Sequence, residues 1–209
     1  MTDLMLVNPL FLKDDPVESR LMTPFFPLGM LYLAAVVRDA GYTVSIFDAM
    51  FADSDDAFLH AIEREEPRVV GFGVLATVRQ AAFRLARLAK ANGATVIAGG
   101  ADPTARPDLY LRHRADGRHV VDVAVIGEAE ETILELLPLL LRRGAPAAAL
   151  EDVQGIAYRD ELSHVTQTER RPLLDDIDAL PFPARDLLDI DNYRRTWRDH
   201  HDRFSLSII

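Results

Sequence analysis

Apolar, mostly β-branched runs recur at five places along the chain: Leu4–Val7, Thr43–Phe47, Val69–Phe72, Thr95–Ala98 and Val123–Ile126. Near-continuous hydrophobicity, as opposed to strict alternation, predicts strands covered on both faces, as in a parallel sheet. Between them the period becomes helical. In Val78–Ala91 the apolar positions Ala81, Ala82, Leu85, Leu88 and Ala89 share one face, and Arg84, Arg87 and Lys90 lie off it. Asn92-Gly93 supplies a stop; in the same way Pro27–Ala40 ends at Gly41, Ala57–Glu65 before Pro67, and Glu128–Arg143 at Gly144. Strands alternating with helices of this size predict an α/β fold, a right-handed, doubly wound parallel sheet of five strands with helices on both faces.

Beyond Gly144 the pattern changes. Gly155–Arg159 and His164–Thr168 read as two strands of a small antiparallel hairpin around Asp160-Glu161. Asp175–Pro183 is acidic and proline-bearing, Ala184–Tyr193 is short and mixed, and Phe204–Ile209 is an apolar run with no polar exit. That run predicts a strand separated from its partner, in a chain that continues. The expected division is a sheet domain over 1–145, a hairpin appendage over 146–174, and a linker with a further strand over 175–209.

Composition narrows the function classes. At 209 residues, 49% hydrophobic and 27% charged, the chain is too apolar for a disordered protein and long enough for one α/β domain with an appendage. Its formal net charge of −10, from 23 basic and 33 acidic residues, argues against binding a phosphate backbone. There is no cysteine, so disulfides, thiol nucleophiles and an iron–sulfur cluster ligated from within these residues are excluded. The first residues show no basic-then-apolar leader and no run approaches a membrane span, so a cytoplasmic protein is expected.

In a doubly wound sheet, ligands bind beyond the carboxyl ends of the strands. The candidates are therefore Asn8-Pro9, Asp48-Ala49, the segment Gly73-Val-Leu75-Ala76-Thr77, Gly99-Gly100-Ala-Asp102-Pro103-Thr104, and Gly127-Glu128-Ala-Glu130. Gly99-Gly100 reads first as a turn needing positive φ and otherwise as a close backbone approach to a ligand. Thr77 reads either as a helix N-cap or as a ligand contact. Glu128 and Glu130 complement a helix start, with or without a site there. Gly71-Phe-Gly-Val-Leu-Ala76 matches G-x-G-x-x-A formally, but its glycines begin inside a strand and no acid ends a strand about 20 residues on. None of the six histidines has zinc-ligand spacing.

Taken together and in order, these segments resemble the N-terminal cobalamin-binding domain of the cobalamin-dependent radical S-adenosylmethionine enzymes. The resemblance rests on Asn8-Pro9, Pro24-Phe-Phe-Pro-Leu-Gly-Met-Leu-Tyr-Leu-Ala-Ala35, Ala40-Gly-Tyr42, Val70-Gly-Phe72, Gly99-Gly-Ala-Asp-Pro-Thr104, Gly127-Glu-Ala-Glu130 and Leu180-Pro-Phe-Pro-Ala-Arg-Asp-Leu187. It implies a Rossmann-like (flavodoxin-like) sheet holding base-off cobalamin at its carboxyl edge. Glycines 71, 73, 99 and 100 would open a slot for the nucleotide tail, with Leu75, Ala76 and Thr77 lining it.

The resemblance also implies that the linker leads into a barrel, with Ser205–Ile209 as its first strand, and that the 4Fe–4S cluster and S-adenosylmethionine belong to that missing part. The chain alone is then expected to bind cobalamin and catalyse nothing. Within the family the barrel completes methyl transfer or oxidative ring closure. No D-x-H-x-x-G motif follows the first strand, so no protein imidazole on cobalt is expected. Asp102 stands where relatives often carry histidine. A stand-alone corrinoid carrier and a nucleotide-binding Rossmann-like domain are the alternatives. A phosphoacceptor receiver lacks its acidic pair, aspartate and lysine here.

Overall fold

The computed structural model describes residues 1–142 and 147–206. Each predicted strand forms: β1 (Leu4–Asn8), β2 (Val44–Asp48), β3 (Val69–Gly73), β4 (Thr95–Gly99) and, after two short strands, β7 (Val123–Val125). The four predicted helices are α2 (Leu28–Asp39), α3 (Asp55–Glu65), α4 (Arg79–Ala91) and α7 (Glu130–Leu140). Gly144, the expected stop of α7, and the expected boundary at 145 lie outside the described residues, as do 207–209 of the expected terminal strand.

Strand order is β2-β1-β3-β4-β7 with every pairing parallel, so the winding reverses between β1 and β3. The hairpin strands β8 (Ile156–Arg159) and β9 (Val165–Gln167) extend this same sheet, β8 antiparallel to β7 and β9 antiparallel to β8, making seven strands among the described residues. The hairpin is continuous with the sheet because Ile156 and Tyr158 pack into the apolar layer of Val123 and Val125.

Strand alternation divides the core into two layers. Met5, Val7, Val70, Phe72, Val96, Ala98 and Ala124 face α3 and α4, meeting Phe58, Ile62, Leu85 and Ala89. Leu4, Leu6, Val69, Ile97, Val123 and Val125 face α2 and α7, meeting Ala34, Val37, Ile133, Leu136 and Leu137.

Elements outside the predicted pattern are short or polar. They are α1 (Glu18–Leu21), α5 (Ala101–Ala105), α6 (Pro107–Arg112) and the ribbon of β5 (Arg114–Ala115) with β6 (Arg118–His119). The expected short and mixed tail instead contains α8 (Ile190–His201). Asp189 caps α8 by accepting from the Asn192 N–H, and Tyr193 and Trp197, one turn apart, are its buried residues. Tyr193 packs on Phe26 and Phe51, with ring centroids at 4.4 and 4.8 Å, while Trp197 donates to the Pro24 carbonyl at 2.8 Å. No helix among the described residues is long and apolar enough to cross a membrane.

Candidate functional site

Three glycines interrupt the layer that faces α2 and α7. Gly71, Gly73 and Gly99 share the parity of Val69 and Ile97, so each leaves a side chain missing from that face near the carboxyl ends of β3 and β4. The result is a cleft of about 270 Å³ between the sheet and the two helices. Leu6, Ile97 and Val125 line it from the sheet, Gly29, Met30 and Leu33 from α2, and Ala129 and Ile133 from the α7 side, with Gly127, Glu128 and Glu130 also contributing. A methyl at Gly71 would come within 3.1–3.2 Å of Leu6 and Ile97, and one at Gly73 would collide with Met30 Cε. Side chains at those positions would close the cleft.

Gly100 has a different role. Its φ of +100° lies in the region open to glycine, and a Cβ there would sit 2.9 Å from the Val74 carbonyl oxygen. This approach lets Val74 N–H donate to the Gly99 carbonyl at 2.8 Å and Asp102 N–H donate to the Val74 carbonyl at 3.2 Å, knitting the loops after β3 and β4 together.

Of the sequence candidates, the cleft gathers Gly73, Gly99, Gly100, Gly127, Glu128 and Glu130. The expectation that Leu75, Ala76 and Thr77 line the slot is not met. The connection turns outward once Val74 is tied to β4, leaving all three exposed on the carboxyl edge of the sheet. Nor is Thr77 the N-cap of α4; that position is Val78, with no side-chain cap. Pro9 and Pro103 are buried outside the cleft, and Thr104 Oγ1 accepts from the Gly127 N–H at 3.0 Å, holding the start of the cleft's acidic rim.

Asp102 is turned inward. Its carboxylate takes both Arg79 donors, at 2.5 and 2.6 Å, and the Tyr110 hydroxyl at 2.5 Å. The Arg79 guanidinium holds the carboxyl below the usual carboxylate range, overcoming the opposing effect of burial. The buried amide of Asn8 donates to Asp48 at 2.8 Å, and Asp48 also accepts from the Met50 N–H and the Tyr193 hydroxyl. Burial pushes the Asp48 carboxyl up in spite of these donors. No histidine is among the lining residues.

The sequence reading missed Gly29, Met30, Leu33, Ala129 and Ile133, the helical walls of the cleft. Gly29, Met30 and Leu33 fall within the Pro24–Ala35 segment that carries the resemblance and Ala129 within Gly127–Glu130, but apolar periodicity alone does not separate them or Ile133 from ordinary core. It also missed how the chain after the hairpin straps these walls together. Arg171 pairs with Glu131 and Glu135 and donates to Thr132 on α7, and Leu174 N–H donates to Glu128 at 2.8 Å. Ten residues later Ala184 N–H donates to the Leu31 carbonyl of α2 at 3.0 Å, and Asp186 pairs with Arg38 at 2.6 Å.

The chain is 31% identical over 199 residues to an uncharacterized methyltransferase, PH0819, of Pyrococcus horikoshii, an alignment spanning 91% of this chain and 41% of that protein. It thus covers about two fifths of that relative's length. The fold is shared with OxsB, a cobalamin-dependent S-adenosylmethionine radical enzyme solved with aqua-cobalamin and S-adenosylmethionine bound: TM-score 0.74, 19% identity, 98% of this chain and 26% of that one. It is shared also with TsrM of Kitasatospora setae, a radical S-adenosylmethionine methyltransferase solved with cobalamin and a 4Fe–4S cluster: TM-score 0.65, 18% identity, 93% of this chain and 38% of that one. Residues 20–137, more than half of the chain, match the B12 binding domain family, and the chain belongs to that family.

Proposed function

We propose that the chain holds base-off cobalamin as the cofactor-binding part of a radical S-adenosylmethionine enzyme of the methyltransferase or cyclase type, with the nucleotide tail in the glycine-floored cleft. The observation that carries this reading is the cleft itself. At about 270 Å³ it falls just short of the roughly 300–1,000 Å³ of whole small-molecule pockets, so it suits one bicyclic base and its sugar but not a corrin ring.

In this reading Gly71, Gly73 and Gly99 admit the base, and Glu128 and Glu130 at the rim accept hydrogen bonds from sugar hydroxyls. The exposed Leu75, Ala76 and Thr77 and the backbone of Gly99 and Gly100 at the carboxyl edge would hold the corrin. Bound cobalamin supplies a cobalt centre able to carry a methyl group. Asn8 ends β1 and Pro9 follows it beneath that edge, where Asp48 fixes the Asn8 amide. Asp102, Pro103 and Thr104 act indirectly: Asp102 anchors α5 through Arg79 and Tyr110, and Thr104 steadies Gly127.

The 4Fe–4S cluster, S-adenosylmethionine and the substrate contacts belong to further chain beyond these residues, and the chain by itself binds without catalysing. The proposed divisions are a sheet domain over 1–145, the hairpin over 146–174 that extends its sheet by two strands, and a linker over 175–209.

The test is a visible-absorption titration of the chain with hydroxocobalamin, followed by desalting. Co-elution with a base-off spectrum is expected; loss of all corrin on the column overturns the reading.

A further inference from the structure

The deep part of the cleft offers a ligand no hydrogen-bond partner. Its side chains are Leu6, Met30, Leu33, Ile97, Val125 and Ile133, all apolar. The strand backbone behind them is spent in ladders, Leu6 against Gly71 and Gly71 against Ile97, and past their first turns α2 and α7 bond internally. Polar side chains stand only at the rim, where Glu128 is exposed and bonded to Leu174, and Glu130 accepts from the Ala129 N–H.

A base seated here buries its outer ring edge against hydrocarbon alone. Resting on the cobalamin reading above, we infer that this cleft selects corrinoids by their lower base, taking dimethylbenzimidazole and rejecting purines. The methylated edge of dimethylbenzimidazole has nothing to satisfy. Adenine would carry an exocyclic amine and ring nitrogens into a wall that cannot answer them, and each buried, unpaired polar group weakens binding by about tenfold or more. Met30 favours the same choice. Its thioether end lies over Gly73, where a flexible, polarizable group fits closely around an apolar aromatic ring.

Leu33 is the specificity residue open to test. It lies on α2, is only partly buried, and occupies a helical position that glutamine suits. Equilibrium dialysis of the whole chain against cobalamin, its adenine-based analogue and tail-less cobinamide reads the selectivity directly. Cobalamin is expected to bind about tenfold or more tighter than the adenine analogue, and cobinamide more weakly than cobalamin. Leu33→Gln should narrow the gap between the two tailed corrinoids severalfold while the melting temperature holds. An adenine analogue that binds as well as cobalamin, with both well above cobinamide, overturns the selectivity and leaves the cobalamin reading standing. Equal binding of all three overturns the seating of the tail, and with it this inference. Failure of all three to bind overturns the proposed function itself.

Discussion

Gly29 separates the proposed binding role of the cleft from its structural role. It is the second residue of α2, lines the cleft, and has open space where a Cβ would project. Leucine there removes a glycine from a helix, a gain of up to about 1 kcal/mol in an interior position and nearer half that in a first turn. For a chain of this size, about 0.5 kcal/mol raises the melting temperature by about 1–2 °C. The same side chain puts four carbons into a cleft of about 270 Å³. If a nucleotide tail occupies that space, relieving the overlap takes about 1–3 kcal/mol, which weakens cobalamin about 5- to 150-fold.

Gly99→Ala is the finer companion. Its new methyl meets Val125 Cβ at an ordinary 3.5 Å, and about fivefold weakening is expected. Thermal melts by circular dichroism and hydroxocobalamin titrations of both variants give the two readouts. A Gly29→Leu chain that melts higher yet keeps full affinity refutes the placement of the tail. One that melts lower refutes the claim of open space.

Other consequences concern the scaffold. Gly100→Ala forces an L-residue to φ +100° and a carbon against the Val74 carbonyl, so urea unfolding should show a loss of about 1–3 kcal/mol with or without cobalamin. Asp102→Asn removes the charge that Arg79 and Tyr110 surround and should destabilise by about 2–3 kcal/mol at pH 7. Because the folded carboxyl titrates below its ordinary value of 3.8, that contribution is complete above 3.8 and fades only as pH falls below it; denaturant melts across that range should show the gap to wild type closing there and not at neutral pH. Tyr193→Ala strips α8 of its contacts with Phe26, Phe51 and Asp48; a loss of about 3 kcal/mol raises local opening about a hundredfold, which trypsin cleavage at Arg194 and Arg195 would report while the sheet's far-ultraviolet signal holds.

What the sequence disclosed follows from local pattern. Buried parallel strands announce themselves as β-branched runs, and the glycines at 71, 73 and 99 stand out as gaps in or at the end of those runs, while their common face needs the strand register. The hidden parts depend on three-dimensional neighbours. α8 escaped because only Tyr193 and Trp197 are buried in an otherwise charged and polar stretch, so no apolar run marks it although its two faces differ sharply. Helices α5 and α6 begin at prolines and glycines that read as turn. Asp102 looked like an edge residue by position, and nothing in its local sequence pointed to Arg79, 23 residues back, as its partner. Met30, Leu33 and Ile133 are indistinguishable from core until the missing side chains opposite them are located.

The stretch from Arg171 to Asp186 grips α7 at one end and α2 at the other, so the spacing of the cleft walls is held by a part of the chain that lies outside the matched family region. Any molecule that touches both walls therefore shares a free energy with that stretch. By reciprocity, whatever factor the strap contributes to holding the ligand, the ligand returns to holding the strap. A force or contact applied to residues 175–183, remote from the cleft floor, thus becomes an adjustment of affinity.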